Sequence, residues 1–286
     1  MKKILITAVA AILASCATAP APAPMAAPPA SPAAATPALP TAPKTITYDE
    51  ALPVSIKSTY PNGDASGTVN SKYNAQGLLV LQESFNGNGI LIESRAGKAK
   101  GDLWRITVTN AQNGEVVSYE DRSVGPQGQL LVQTFLNPKE IPQASNEYSY
   151  DGTGNKILWV AKTGAGGLQA RTVYTNDAKG NNTKTEVYDA GGTLTNVFLS
   201  TYDDQGQIVS RKGYDANQNL VEQTNFTWKD GKKVKEETVK PLLRTIEYSY
   251  TDRSAPTGVV QSVRGKVVER QTIEYQWFTR TKTVNP

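Results

Sequence analysis

Between Glu186 and Lys240 one short pattern recurs: an aromatic residue, a polar turn, then an apolar residue. Tyr188-Asp189-Ala190-Gly191-Gly192-Thr193-Leu194 is followed by Tyr202-Asp203-Asp204-Gln205-Gly206-Gln207-Ile208. Tyr214-Asp215-Ala216-Asn217-Gln218-Asn219-Leu220 and Trp228-Lys229-Asp230-Gly231-Lys232-Lys233-Val234 continue the series. Between turns the residues alternate. From Leu194 to Tyr202 one face carries Leu194, Phe198 and Tyr202. From Leu220 to Trp228 the matching face carries Leu220, Thr224, Phe226 and Trp228, and the other face carries Val221, Gln223, Asn225 and Thr227. A period of two predicts half-buried antiparallel strands. No stretch holds the helical spacing for three turns.

The turns have their own chemistry. Asp189 stands where its carboxylate can accept a backbone N–H two residues on. Ala190 and Gly191 suit the centre of a type I turn, and Gly192 supplies the positive φ that closes a hairpin through a bulge. Asn74 and Gly77 fit the same places, as do Asp203 and Gly206. The runs between turns are about 27–33 Å long at ~3.3 Å per residue. Worn copies begin at Tyr73, Phe85, Tyr150 and Tyr174. A second echo is Glu147-Tyr148-Ser149-Tyr150, Glu247-Tyr248-Ser249-Tyr250 and Glu274-Tyr275-Gln276-Trp277. The expectation is an all-β domain: an antiparallel up-and-down meander of repeat hairpins, forming a curled sheet or a barrel. Neighbouring strands run oppositely, so aliphatic and aromatic bands should alternate across its apolar face.

The N-terminus follows different rules. Met1-Lys2-Lys3 is basic, Ile4 to Leu13 is apolar apart from Thr7, and Leu13-Ala14-Ser15-Cys16 follows. The apolar run is too short to span a bilayer, so it reads as an export signal. The last four residues resemble the lipobox of bacterial lipoproteins. That resemblance implies acylation of Cys16, the chain's single cysteine, and a membrane anchor there. Ala17 to Pro43 is rich in Ala and Pro, including nine prolines, which block helix and sheet. It reads as a disordered tether reaching roughly 80 Å at ~3.1 Å per residue. The predicted segments are therefore 1–16 (signal), 17–44 (linker) and 45–286 (β-repeat domain).

The Tyr-Asp-x-x-Gly-x-Leu units at 188–194 and 202–208 resemble the YD repeats of Rhs-type and wall-associated bacterial proteins. They are also similar to the MORN-like repeats of YwqK-type antitoxins. The resemblance covers about residues 70–240 and implies antiparallel strands winding into a shell or ribbon. The Arg usual after the repeat Gly is absent, with Thr193, Gln207 and Asn219 in its place. Gln218 stands where the third unit should have Gly.

Composition narrows the chemistry. The chain has 286 residues and no histidine, which removes the commonest general base and most zinc and copper sites. Without Lys2 and Lys3, 28 basic residues face 26 acidic ones, which gives no nucleic-acid footprint. The acidic pairs Glu120-Asp121, Asp203-Asp204 and Glu236-Glu237 are turn formers or point to opposite strand faces. Asp151-x-Thr153-x-Asn155 and Asp215-x-Asn217-x-Asn219 look like calcium loops, but Lys162 and Phe226 stand at the twelfth position. No metal or cofactor is expected. The candidate binding or packing face is Leu194, Phe198, Tyr202, Phe226 and Trp228. The leading expectation is a non-enzymatic envelope lipoprotein that binds or scaffolds a protein or glycan partner. The alternatives are a lipid or lipoprotein carrier with a half-barrel groove, and a glycan-active enzyme using two carboxylates. Ala17 after the acylated Cys favours the outer membrane if the enteric sorting rule applies.

Overall fold

The computed structural model describes residues 44–284 apart from Gln127 and Asp252. The signal segment, Cys16 and the Ala/Pro-rich linker lie outside the described residues. Eighteen strands follow one another, and the described residues contain no helix. They are β1 (Lys44–Thr59), β2 (Ala65–Tyr73), β3 (Leu79–Asn86), β4 (Leu91–Lys100), β5 (Leu103–Asn110) and β6 (Val116–Val124). Next come β7 (Leu130–Leu136), β8 (Pro142–Tyr150), β9 (Lys156–Thr163), β10 (Leu168–Asn176), β11 (Asn182–Asp189) and β12 (Leu194–Tyr202). The last are β13 (Ile208–Asp215), β14 (Leu220–Lys229), β15 (Lys232–Lys240), β16 (Arg244–Ser249), β17 (Gly258–Val263) and β18 (Lys266–Val284).

Each strand pairs antiparallel with the next, and β18 returns to pair with β1. The meander therefore closes into a barrel. Odd-numbered strands start and even-numbered strands finish at the near end, where the chain enters. Hairpins such as β1–β2 and β11–β12 turn at the far end.

The turns explain why strands stop where they do. Gly192 adopts φ 82°, Gly77 φ 74° and Gly206 φ 78°. At Asp189 the amide donates to Thr193 O at 3.0 Å, and Gly192 N donates to Asp189 O at 3.1 Å. The Asp189 carboxylate accepts the N–H groups of Gly191 and Thr193, each at 2.9 Å. Asn74 accepts from Gln76 and Leu78 in the same way. Asp203 accepts from Gln207 N at 2.8 Å. Gln218 takes φ 64° at the position Gly fills elsewhere. A register shift beside each of these turns places the bulge.

The outer face is mixed, with Val160, Val173, Val197 and exposed Leu199 among charged and polar residues. Register places Lys57, Asn70, Lys72, Lys212, Asn225, Glu247, Arg270 and Glu274 on the outer face, all exposed. The inner face carries Ser71, Ile106, Val108, Glu120, Thr172, Gly213 and Thr224, all buried. Only Leu79, Ile106, Val108, Leu136 and Phe278 are buried apolar side chains among the described residues. Most of the fold rests on its hydrogen-bonded ladder and half-buried inner wall. One buried ion pair sits on the outer side: Arg105 grips Asp121 through Nε (2.6 Å) and Nη2 (2.7 Å). Glu140 joins it at 2.9 Å and also binds Lys100. Lys100 first, then Arg105, lower the Glu140 pKa from the usual carboxylate value.

Beyond the barrel wall, β1 and β18 continue alone. β1 pairs with β2 only over Ser55–Thr59, and β18 with β17 only over Lys266–Thr272. The halves 44–53 and 275–284 pair with each other, forming a two-stranded arm at the near end.

The turn geometry gives a paired prediction. A Cβ at Gly192 meets nothing within 4 Å, so the positive φ alone sets the cost. Gly192→Ala should lose about 1 kcal/mol of stability. Gln218→Gly should gain stability, by less than this because glycine adds chain entropy. Urea unfolding midpoints of the two variants check both signs.

Candidate functional site

Inside the barrel, a run of side chains ties its polar tips to the wall at the near end. The Tyr150 hydroxyl donates to Leu130 O (2.9 Å), Asn176 Nδ2 to Lys156 O (3.1 Å), the Tyr202 hydroxyl to Asn182 O (2.8 Å) and Trp228 Nε1 to Ile208 O (2.7 Å). Each acceptor lies twenty residues before its donor, and successive donors are twenty-six residues apart. Tyr73 to Pro53 O, Tyr250 to Lys233 O and Tyr275 to Pro256 O extend the set, and Trp104 Nε1 at the start of β5 donates to Leu79 O at 3.0 Å. The structural repeat is thus two strands long, because only even-numbered strands finish at the near end.

This explains the unequal aromatic steps in the sequence. Tyr202 and Trp228 close even strands and face the lumen. Tyr188 and Tyr214 lie on odd strands and face outward. Tyr188 pairs with Arg171, whose guanidinium lies 4.4 Å from its ring, and Tyr214 shares the outer face with Lys212. The expected alternation of aliphatic and aromatic bands on one face is therefore not what forms.

The predicted face separates in detail. Phe198, Tyr202, Phe226 and Trp228 line the lumen, while half-buried Leu194 sits at a bulge opposite Tyr188. They do not stack on one another. Arg211 lies 4.3 Å from the Phe198 ring, and Lys233 lies 5.8 Å from Phe226 and 4.9 Å from Tyr248. Phe198 also covers Gly213, where a Cβ would meet the ring at 2.7 Å. Lys156 stands between Tyr148 (5.5 Å) and Tyr174 (5.2 Å). Among the described residues, the ring–ring contacts are Tyr73–Phe278 and Tyr275–Trp277. None of these pairings was visible in the sequence, because each depends on cross-strand register.

Acidic groups divide between the faces or serve the turns. Glu120 points inward to Arg122 and Gln133, and Asp121 points outward to Arg105. Glu236 points inward, holding Lys233 and accepting from Tyr248 at 2.8 Å, whereas Glu237 pairs with Lys235 outside. Asp215 accepts from the backbone of Asn217 and Asn219 and from the Asn219 amide. The Asn219 amide first, then the backbone N–H groups, lower its pKa. Asp151 is engaged in the same way by Thr153 and Asn155. Glu222 stands four residues along β14 from Phe226, the partner of Glu236. That offsets the two positions by about 13 Å of backbone along the strand at ~3.3 Å per residue. Glu93, Glu120 and Glu269 also face the lumen.

A hollow of about 820 Å³ lies at the near mouth. Tyr48, Glu50 and Arg280 of the arm line it with Gly77, Leu78, Arg122 and Leu130. The arm therefore leans across the opening. Arg280 Nε binds Glu50 at 2.7 Å.

No family model and no curated protein matches this chain. Among solved structures it is similar to a porin-like protein from Bacteroides uniformis, at 11% identity and TM-score 0.46, covering 78% of this chain and 96% of that one. A porin-like protein from Bacteroides vulgatus is similar at 8% identity and TM-score 0.39, over 79% and 99%. The Photorhabdus luminescens Tc holotoxin pore is similar at 10% identity and TM-score 0.23. That match covers 77% of this chain and only 16% of the toxin chain.

Two outcomes follow from the tied tyrosines. Tyr202→Phe removes one tip bond and should cost about 1 kcal/mol, read from the urea midpoint. Burial first raises the hydroxyl pKa of Tyr148, Tyr150, Tyr174, Tyr202, Tyr248, Tyr250 and Tyr275 above the ordinary value of 10.0. For Tyr248 the bond to Glu236 adds to this. A raised tyrosine pKa keeps the folded state protonated longer than the unfolded chain. Its stabilisation is complete below pH 10 and is lost as pH rises beyond it. An absorbance titration should show these tyrosines ionising together with unfolding.

Proposed function

We propose that this protein is a lipid-anchored barrel of the bacterial envelope that holds a ligand in its lumen without turning it over. The YD-type repeat builds the wall, and Cys16 with the Ala/Pro-rich linker tethers it, on the outer membrane under the enteric rule. The observation that carries the reading is the polarity of the wall. Membrane-spanning barrels present an apolar outer band to lipid. Here exposed Lys212, Asn225, Glu247 and Glu274 occupy outer strand positions. The inside offers aromatic rings beside cations, amides and paired charges. An 18-stranded barrel leaves room for an aqueous interior.

That interior suits a hydroxyl-rich, uncharged ligand, which is to say a glycan. Ring faces give apolar platforms, and fixed polar groups give orientation. An acyl chain fits poorly against a lumen wall that carries charged Glu93, Arg95, Glu120 and Glu222. A protein partner is a second reading, favoured by the arm. Its strands 44–53 and 275–284 pair only with each other, and free strand edges accept an added strand.

Native mass spectrometry of protein purified from the envelope should show bound glycan and no acyl lipid beyond the anchor. Bound phospholipid in the lumen would overturn the reading in favour of a lipid carrier. Cys16→Ser should move the protein from the membrane fraction to the soluble fraction.

A further inference from the structure

The lumen wall from β13 to β18 carries two adjoining hollows, of about 360 and 290 Å³. They share Arg244 and Ile246, so they form one run across six strands. At ~4.8 Å between strands this is about 24 Å from first to last. Phe226 and Tyr248 give the run its rings, beside aliphatic Ile246, Val259 and Leu242, and Lys233 lies beside both rings. Hydrogen-bonding groups flank them. Thr224 and Thr238 bond to each other at 2.9 Å, and Arg244 Nη2 donates to Gln261 at 3.1 Å. Gln271 donates to Glu269 at 3.3 Å. Glu222 also lines the run.

Charge selects among hydroxyl-rich ligands. Arg211, Lys233 and Arg244 are matched within the run by Glu222, Glu236 and Glu269. No excess of either sign remains to attract an acidic or basic polymer. A polar surface with balanced charge and two rings recognises an elongated neutral molecule with hydroxyls along its edges. A linear sugar chain presents alternating C–H faces and hydroxyl edges, which fit the rings and the flanking groups respectively. Fixed polar groups also discriminate, because a ligand lacking the matching hydroxyls leaves them unpaired.

We infer that this wall is a binding site for a linear, uncharged oligosaccharide, with Phe226 and Tyr248 as ring platforms and Glu222, Arg244 and Gln261 as hydroxyl partners. The inference rests on the lumen-binding reading above and narrows it to one wall and one ligand class. Purified full-length protein is titrated with chitohexaose, cellohexaose and maltohexaose, following tryptophan fluorescence and calorimetric heat. Saturable binding of at least one is expected. Phe226→Ala and Arg244→Gln should each weaken it tenfold or more, and the outward Glu247→Gln should leave it unchanged. Exposed Arg244 gives a variant that keeps the test open if Phe226→Ala does not fold. Wild-type binding that neither variant weakens would overturn this site while leaving the lumen-binding reading intact. Failure of all three sugars to bind would overturn both.

Discussion

The pairing of β1 with β18 is the contact on which the rest of the structure depends. Every other strand pair is local, joining neighbours through a short turn. The seam joins residues far apart in the chain, as in the pairing of Ser55 with Glu274 and Ser58 with Gln271. Without it the meander would have two open edges, each a template for another chain. With it the ladder has no edge within the wall. Buried apolar residues are few here, so closure carries an unusual share of the order. The same two strands then overrun the wall and lean across the near mouth, so the seam also shapes the opening.

Closure fixes an inside and an outside, and the side chains respond differently to each. Tyrosine and tryptophan tips on even strands bond wall carbonyls at the near end. Their polar atoms are then satisfied, and their rings remain beside lumen cations. Outside, lysine, glutamate and asparagine meet water. Hydrogen-bonding capacity and ring surface beside cations are thus gathered inside. Arg105, Asp121, Glu140 and Lys100 add a clamp on the outer side, linking β5 and β6 to the β7–β8 turn.

Local chemistry was the legible part of the sequence. Asp189, Asn74 and Asp203 announce turns because an Asx side chain bonds nearby backbone N–H groups, and that needs no tertiary context. The alternation along β14 likewise revealed the lumen positions of Phe226 and Trp228. What stayed hidden depends on register or distance. Tyr188 and Tyr202 look equivalent in sequence, yet one faces water and the other the lumen. Arg105 and Asp121 give no local sign of their pairing across a hairpin. Nothing near Lys44 or Val284 shows that they oppose each other, so closed barrel and curled sheet could not be told apart. The lumen wall from β13 to β18 was partly visible through Phe226, whereas Arg244 and Gln261 carry no motif.

On the proposed reading, the wall faces water on both sides. The most direct test of that claim is where the outer wall sits in a lipid sample. A cysteine placed at Asn225 in the full-length protein is labelled with an environment-sensitive dye and reconstituted into vesicles. The account predicts water-like emission that is not quenched by lipids carrying quenchers on their acyl chains. Blue-shifted emission with strong acyl-chain quenching would place the wall in the bilayer and contradict it.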